Sequence, residues 1–285
     1  MKLLVNTMLF VSFQTSVATS WEEIFKEKKD LLEQQNCQLL RNQFDAFKNG
    51  SLPTIVDSRI KSIPIQDSNE PCSDVTAESN PRISMLPKPE TPFASPDCNS
   101  GFTCASLMRK TVFAKLGAML IYLDELAPEF GYKKDEVTIA VFEALRDLKT
   151  QEHLFENKRT EIKATNPTFT DAELDKETSK WVSPVKNNVP VHSTGAAIDI
   201  RLMCHGKLID MGKFGVIWGS NPNAPTFSED LTREQKMNRL FMAMAATKAG
   251  LTNYPYEFWH YSSGDRYDAY WNGSEEKSAQ FGSVH

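Results

Sequence analysis

Two short stretches carry side chains that could hold a metal and act on a bond. One is His192-Ser193-Thr194-Gly195-Ala196-Ala197-Ile198-Asp199; the other, some sixty residues later, is Glu257-Phe258-Trp259-His260. Two histidines and a carboxylate suit zinc, which takes nitrogen and oxygen ligands tetrahedrally and in hydrolytic sites leaves its fourth position to water. Gly195, Ala196 and Ala197 have almost no side-chain bulk, so the backbone there can bend and a metal can sit close to it. On a strand, Asp199 would point away from its neighbours Ile198 and Ile200. Glu257 lies three residues before His260, near enough to share the site without binding the metal. A carboxylate there can take a proton from the attacking water and deliver it to a leaving amine while the metal polarises the carbonyl. The charge that develops on the carbonyl oxygen needs a second stabiliser, and Arg146, at the end of an element, is the candidate because a guanidinium stays protonated.

Taken singly, each of these residues has an ordinary alternative. His260 sits among aromatics and could be a hydrogen-bonded core residue, Asp199 a buried cap, Arg146 a solvated charge. His153, His205 and His285 have no matching partner pattern. Five cysteines, Cys37, Cys72, Cys98, Cys104 and Cys204, are too few and too irregular for a zinc-finger set, and no metal site follows from them. In an exported chain Cys98 and Cys104 could close a small loop, while the odd count leaves at least one thiol unpaired; buried free cysteines are the alternative.

The elements that must position these residues follow from periodicity. Residues 21–48 place Ile24, Phe25, Leu31, Leu32, Leu39, Leu40, Phe44 and Phe47 at helical spacing, predicting one or two helices. Eight prolines among serines and asparagines between 49 and 97 predict loops and short extended pieces. Leu107, Val112, Leu116, Met119, Leu120 and Leu123 predict a helix that Pro128 and Gly131 interrupt. Val137, Ile139 and Val141 alternate as a strand, with Arg146 just past its end and Asp147 placed to cap the next helix. Residues 190–202 read as a turn entering a strand, 231–247 as a helix stopped by Gly250, and 251–271 as an extended aromatic segment. Strands and helices mix without strict βαβ alternation, so the expected class is α+β: a small mixed or antiparallel sheet with packed helices around a zinc site.

Composition sets the outer bounds. The 285 residues, 40% hydrophobic and 24% charged, suffice for one sizeable core plus an appendage. With 32 Lys and Arg against 37 Asp and Glu, a net charge of −5 and no basic run, a nucleic-acid partner has no support. Residues 1–20 put Lys2 ahead of an apolar run that closes on small residues, as a signal peptide does, although Asn6 and Gln14 interrupt it and an amphipathic helix is the alternative. Nothing later is apolar enough to span a membrane. The expected division is a signal peptide at 1–20, a helical and proline-rich extension at 21–97, a zinc peptidase domain at 98–275 and a tail at 276–285. Export implies a periplasmic or secreted protein; a chain that keeps its N-terminus would be cytoplasmic.

Several of these segments, in order, resemble the D-alanyl-D-alanine dipeptidases of the VanX type. Their zinc signature, Ser-x-His-x-x-Gly-x-Ala-x-Asp, is met at His192, Gly195, Ala197 and Asp199, and their Glu-x-Trp-His motif at Glu257, Trp259 and His260. Asn253-Tyr254-Pro255 and Asp210-Met211-Gly212 match as well, and Glu143-Ala144-Leu145-Arg146-Asp147-Leu148-Lys149-Thr150-Gln151 resembles the family's Arg-bearing segment. The resemblance covers roughly residues 98–271. It implies one zinc per chain on His192, Asp199 and His260, a base at Glu257 and a transition-state arginine at Arg146, acting on D-Ala-D-Ala or a peptidoglycan stem peptide. Two departures stand out: Pro190 replaces the opening Ser, and Met211-Gly212-Lys213-Phe214-Gly215 lacks the family's Asp, a natural partner for the free amine of a dipeptide. Glu229 or Asp230 could take over that role. The alternatives are a D,D-carboxypeptidase or endopeptidase on longer stems, and a non-catalytic zinc-containing binding module like the hedgehog-type domains; Glu257 favours catalysis.

Overall fold

The computed structural model describes residues 19–86, 106–213, 221–273 and 277–284. The signal-like N-terminus up to residue 18, the expected boundary near Asp97, Cys98, Cys104, Phe214, Gly215 and His285 lie outside them. Three helices come first, α1 (Trp21–Glu27), α2 (Lys29–Gln34) and α3 (Gln38–Lys48), where periodicity suggested one or two. The extra breaks fall at Lys28 and at Asn36, whose φ of 54° lies in the left-handed region that asparagine tolerates. The proline-bearing stretch yields short pieces: α4 (Ser58–Lys61), β1 (Cys72–Asp74) and β2 (Ile83–Met85).

Then follow β3 (Leu107–Arg109), α5 (Lys110–Leu126), β4 (Val137–Glu143), α6 (Leu148–Thr165), α7 (Asp171–Thr178), β5 (Ala197–Cys204), β6 (Lys207–Leu208), α8 (Arg233–Lys248), β7 (Thr252–Tyr254), β8 (Glu257–Ser262) and α9 (Arg266–Asn272). The main sheet runs β2-β4-β5-β8-β7, with β6 on the far end of β5 and β1 paired separately with β3. Among the described strands, β2 and β4 run parallel and the other pairs are antiparallel. This is the expected α+β class. One expectation fails: 251–271 does not stay extended. Asp265 accepts from the Asp268 N–H and starts α9, where Tyr267, Tyr270 and Trp271 fall at helical spacing. α7, opened by a Thr170–Glu173 capping box, lies outside the helices that periodicity predicts.

The core forms where Ile198, Ile200 and Leu202 of β5 and Ile139 and Val141 of β4 meet Leu116, Met119 and Leu123 of α5 and Leu240, Phe241 and Met244 of α8. Each such side chain contributes roughly 1.5–3 kcal/mol on burial. The N-terminal helices belong to the same core. Trp21 is fully buried, stands edge-on to Phe227 at 5.4 Å, and donates its indole N–H to the Ser228 carbonyl at 2.9 Å. Phe25 and Phe44 stack at 4.7 Å beside it.

Candidate metal centre and cleft

Strand register does most of the assembly. Glu143 of β4 pairs with Asp199 of β5, and Asp199 pairs with His260 of β8, so the three form one row across the sheet. Ile198 and Ile200 go to the core, which leaves Asp199 on the opposite face, as alternation requires. His192 arrives from a 3-10 turn, Val191–Thr194, that Gly195 closes at φ 67°. A Cβ at Gly195 would come within 3.1 Å of the Cys72 Sγ and 3.6 Å of the Arg109 amide. The small residue thus makes room for a bend and for neighbouring chain, rather than for a metal.

His192, Asp199 and His260 are brought together and buried. His192 Nε2 lies 3.1 Å from His260 Nδ1, His260 Nδ1 lies 3.0 Å from Asp199 Oδ1, and His192 Nε2 lies 3.5 Å from the same oxygen. Ligands about 2.0–2.1 Å from a tetrahedral zinc stand about 3.3 Å apart, so the donor set fits that ion without rearrangement. His192 donates Nδ1–H to the Ala144 carbonyl at 2.8 Å, which fixes its tautomer and leaves the Nε2 lone pair facing the cluster. Glu257 Oε2 is 4.0 Å from His260 Nδ1, alongside the cluster rather than within it.

Electrostatics separate the two carboxylates. Burial alone would raise Asp199, but His192 and His260 against it outweigh that and hold it well below the usual carboxylate range. Glu257 is pushed well above that range by burial and by the Asp199 charge, with Arg146 opposing. Burial also lowers His260, the Asp199 carboxylate only partly offsetting it, whereas for His192 that carboxylate outweighs burial and raises the ring.

Arg146 is buried beside this cluster, and its orientation is fixed by two residues for which the sequence alone suggested no role. Glu143 accepts from Nε at 2.8 Å and from Nη2 at 2.5 Å, a two-pronged pair, and Gln151 accepts from Nη1 at 2.9 Å. Gln151 is itself anchored by donating to the Ser183 carbonyl. Both flank Arg146 in the segment Glu143 to Gln151, where spacing alone does not tell a buried fork from two solvated side chains. Asp147 accepts from the Thr150 N–H and opens α6 as expected. Asn253, also without an assigned role, donates to the carbonyls of Glu257 and His260 at 3.3 and 3.0 Å and accepts from Thr226 Oγ1 at 2.7 Å, bracing the strand that carries base and ligand.

The cluster opens into a cavity of about 630 Å³, within the range of small-molecule and peptide sites. Its walls include Trp181 and Val182 after α7, Pro222 and Pro225 ahead of α8, and Thr54 and Ile55 from the N-terminal third. Arg239, buried in α8, ties Met211 to Asn223 and Pro225 by donating to the carbonyls of all three. Neither Glu229 nor Asp230 lines the cavity; Glu229 instead accepts from Lys236 and from the Trp21 amide.

Residues 131–276 match the peptidase family described as D-ala-D-ala dipeptidase, and the chain belongs to that family. It is therefore a peptidase. A D-alanyl-D-alanine dipeptidase of Synechocystis sp. is 26% identical over 227 residues, covering 72% of this chain and 86% of the relative. Among solved structures, the VanY D,D-pentapeptidase of a VanB-type resistance cassette in complex with Zn(II) covers 59% of this chain and 80% of its own, with 18% identity and a TM-score of 0.32. The LdcB LD-carboxypeptidase covers 62% and 68%, with 16% identity and a TM-score of 0.33.

Proposed function

We propose that the chain is a zinc-dependent D,D-peptidase that hydrolyses the D-Ala-D-Ala bond, with one zinc per chain on His192, Asp199 and His260. The convergence of three ligand atoms 3.0–3.5 Å apart, with Glu257 alongside, carries this reading. Bound zinc supplies Lewis acidity toward the scissile carbonyl and the attacking water. Glu257 would accept the proton of that water and hand it to the leaving amine, a role for which burial suits the ionised carboxylate by raising its affinity for a proton. Arg146 stays charged because Glu143 outweighs the cost of burial, and Glu143 and Gln151 fix its plane beside the cluster, where a guanidinium can stabilise the developing oxyanion.

Metal analysis and three substitutions test this. The purified protein should carry one zinc at this cluster, an equivalent that His192→Ala and His260→Ala each lose; unchanged zinc content in both would refute the ligand set. Glu257→Gln should keep the zinc and lose roughly 10²–10⁴ in kcat.

A second reading, cleavage of longer peptidoglycan stems, draws on the cavity lining. Among the described residues Glu257 is the one carboxylate there, while Arg146 and Lys180 are cationic, which suits a substrate carboxylate better than a free amine. The comparison to make is kcat/KM for free D-Ala-D-Ala, its N-acetyl form and a pentapeptide ending in D-Ala-D-Ala. A preference of about 100-fold for the free dipeptide, equivalent to about 2.7 kcal/mol, would restore strict dipeptidase specificity. Export, which residues 1–20 suggest, would place the enzyme where stems occur. Zinc bound without cleavage of any of these would leave the binding module.

A further inference from the structure

β5 carries Asp199 near one end and Cys204 at the other, about 16 Å away at the usual rise per residue. At that far end Cys204 pairs with Val137 of β4 and with Lys207 of β6. The first pairing brings Glu136, one residue ahead of β4, beside the strand terminus. The second leaves His205 and Gly206 as a two-residue hairpin turn, with φ 50° and 73°, the type I′ geometry. Asparagine or glycine is the ordinary first residue of such a turn, and here it is a histidine, tolerated in that conformation but not favoured by it.

We propose that Glu136, Cys204 and His205 form a second site, at the surface, for a zinc-class divalent transition metal. Their donor atoms, a carboxylate oxygen, a thiol sulfur and an imidazole nitrogen, lie within 4.8 Å of one another. His205 Nε2 is 3.8 Å from Glu136 Oε2. Bond lengths of about 2.0–2.3 Å call for donor separations of about 3.3–3.6 Å, so closure needs shifts of an ångström or so. The His205 side chain, 72% exposed, is free to make them. Lys133 approaches the other Glu136 oxygen, Oε1, at 3.5 Å and is 85% exposed, so it leaves Oε2 to the metal. A sulfur and a nitrogen donor select against magnesium and calcium and for zinc, cobalt or copper. Partial burial and the Glu136 charge keep Cys204 in its thiol form, so the metal enters as the thiol proton leaves. Three protein ligands leave the fourth position to water.

Cobalt(II) replacing zinc in the full-length protein separates the two sites, because a thiolate-to-cobalt charge-transfer band in the near ultraviolet requires sulfur ligation and the buried cluster has none. Two cobalt ions per chain are expected, the band growing with the second. Cys204→Ser should abolish both band and second equivalent while leaving peptidase activity unchanged, and His205→Ala should weaken the second equivalent by roughly tenfold or more. His260→Ala should empty the buried site and leave the band intact, so failure of either assignment shows independently. A single cobalt with no band, or a band that survives Cys204→Ser, would overturn the proposal.

Discussion

Beneath the cleft, Glu143, Asp199 and His260 form a floor, one row across three hydrogen-bonded strands from which His260 reaches the lining, whereas Thr54 and Ile55 on the cleft wall hang from helices docked by side chains. Ladder hydrogen bonds convert sequence spacing into geometry, so a two-residue alternation fixes which face Asp199 takes. The wall has no such ruler. Its place depends on Trp21, Phe25 and Phe44 closing around Phe227, on Gln43 donating to the Asn253 carbonyl at 2.9 Å, and on Tyr256 donating to the Leu52 carbonyl at 3.0 Å. The floor should therefore fail in chemistry as well as in stability when broken, and the wall in stability alone.

Glu143→Ala should have the largest effect, because it strips Arg146 of its two-pronged partner in a buried setting. Removing one member of such a pair costs about 3–5 kcal/mol, since the other charge is left uncompensated. Denaturant unfolding should show that loss, and kcat should fall in the folded fraction as the guanidinium loses its aim. Glu143→Gln, which keeps an acceptor for one nitrogen, should recover part of both. If Glu143→Ala leaves kcat untouched, Arg146 does not act through this fork.

Trp21→Ala tests the wall. Truncating a fully buried tryptophan costs about 3–5 kcal/mol and here also orphans the Ser228 carbonyl. Stability should drop by that amount while zinc stoichiometry and kcat on a short substrate stay near wild type below the transition. A parallel loss of zinc would mean that floor and wall are one cooperative unit, and the distinction between them would fall.

How much was legible follows the same division. That His192, Asp199 and His260 would come together was legible through the ordered motifs that resemble the dipeptidases, since each residue taken singly has an ordinary alternative, while the place of Arg146 follows from the strand end and the Asp147 cap that bracket it. Glu143 and Gln151 stood in plain view beside Arg146, but nothing in their spacing tells a buried fork from two solvated side chains. The docking of residues 21–63 on Phe227 and Asn253 spans some two hundred residues of sequence separation, and no periodicity carries that. In 251–271 the eight aromatics suggest an extended segment and mask the Asp265 cap that starts α9. Likewise Cys204 and His205 had no partner until register set Glu136 beside them.

The joint between floor and wall offers the smallest effect and the finest test. α9 follows β8 directly, and Arg266 at its start donates to the Ile63 carbonyl of the N-terminal layer at 2.8 Å. Asp265, which caps α9, is buried, and one of its oxygens, Oδ2, has no hydrogen-bond partner. Burial pushes its carboxyl up to about 6. In the unfolded chain it titrates near 3.9. The folded state therefore holds the proton more tightly, and the associated stability is fully present below pH ~4 and lost as pH rises through about 6. Asp265→Asn keeps a capping side chain but carries no charge at any pH, so it escapes that loss. The variant should match wild type near pH ~4 and exceed it above pH ~7 by roughly 2–3 kcal/mol at most, the free energy that separates a carboxyl titrating near 4 from one titrating near 6. Subtracting the two unfolding profiles cancels every other titrating group. A flat difference between them, or a wild type that is the more stable of the two at alkaline pH, would show that the Asp265 charge is compensated and that the joint is stronger than its unpartnered oxygen suggests.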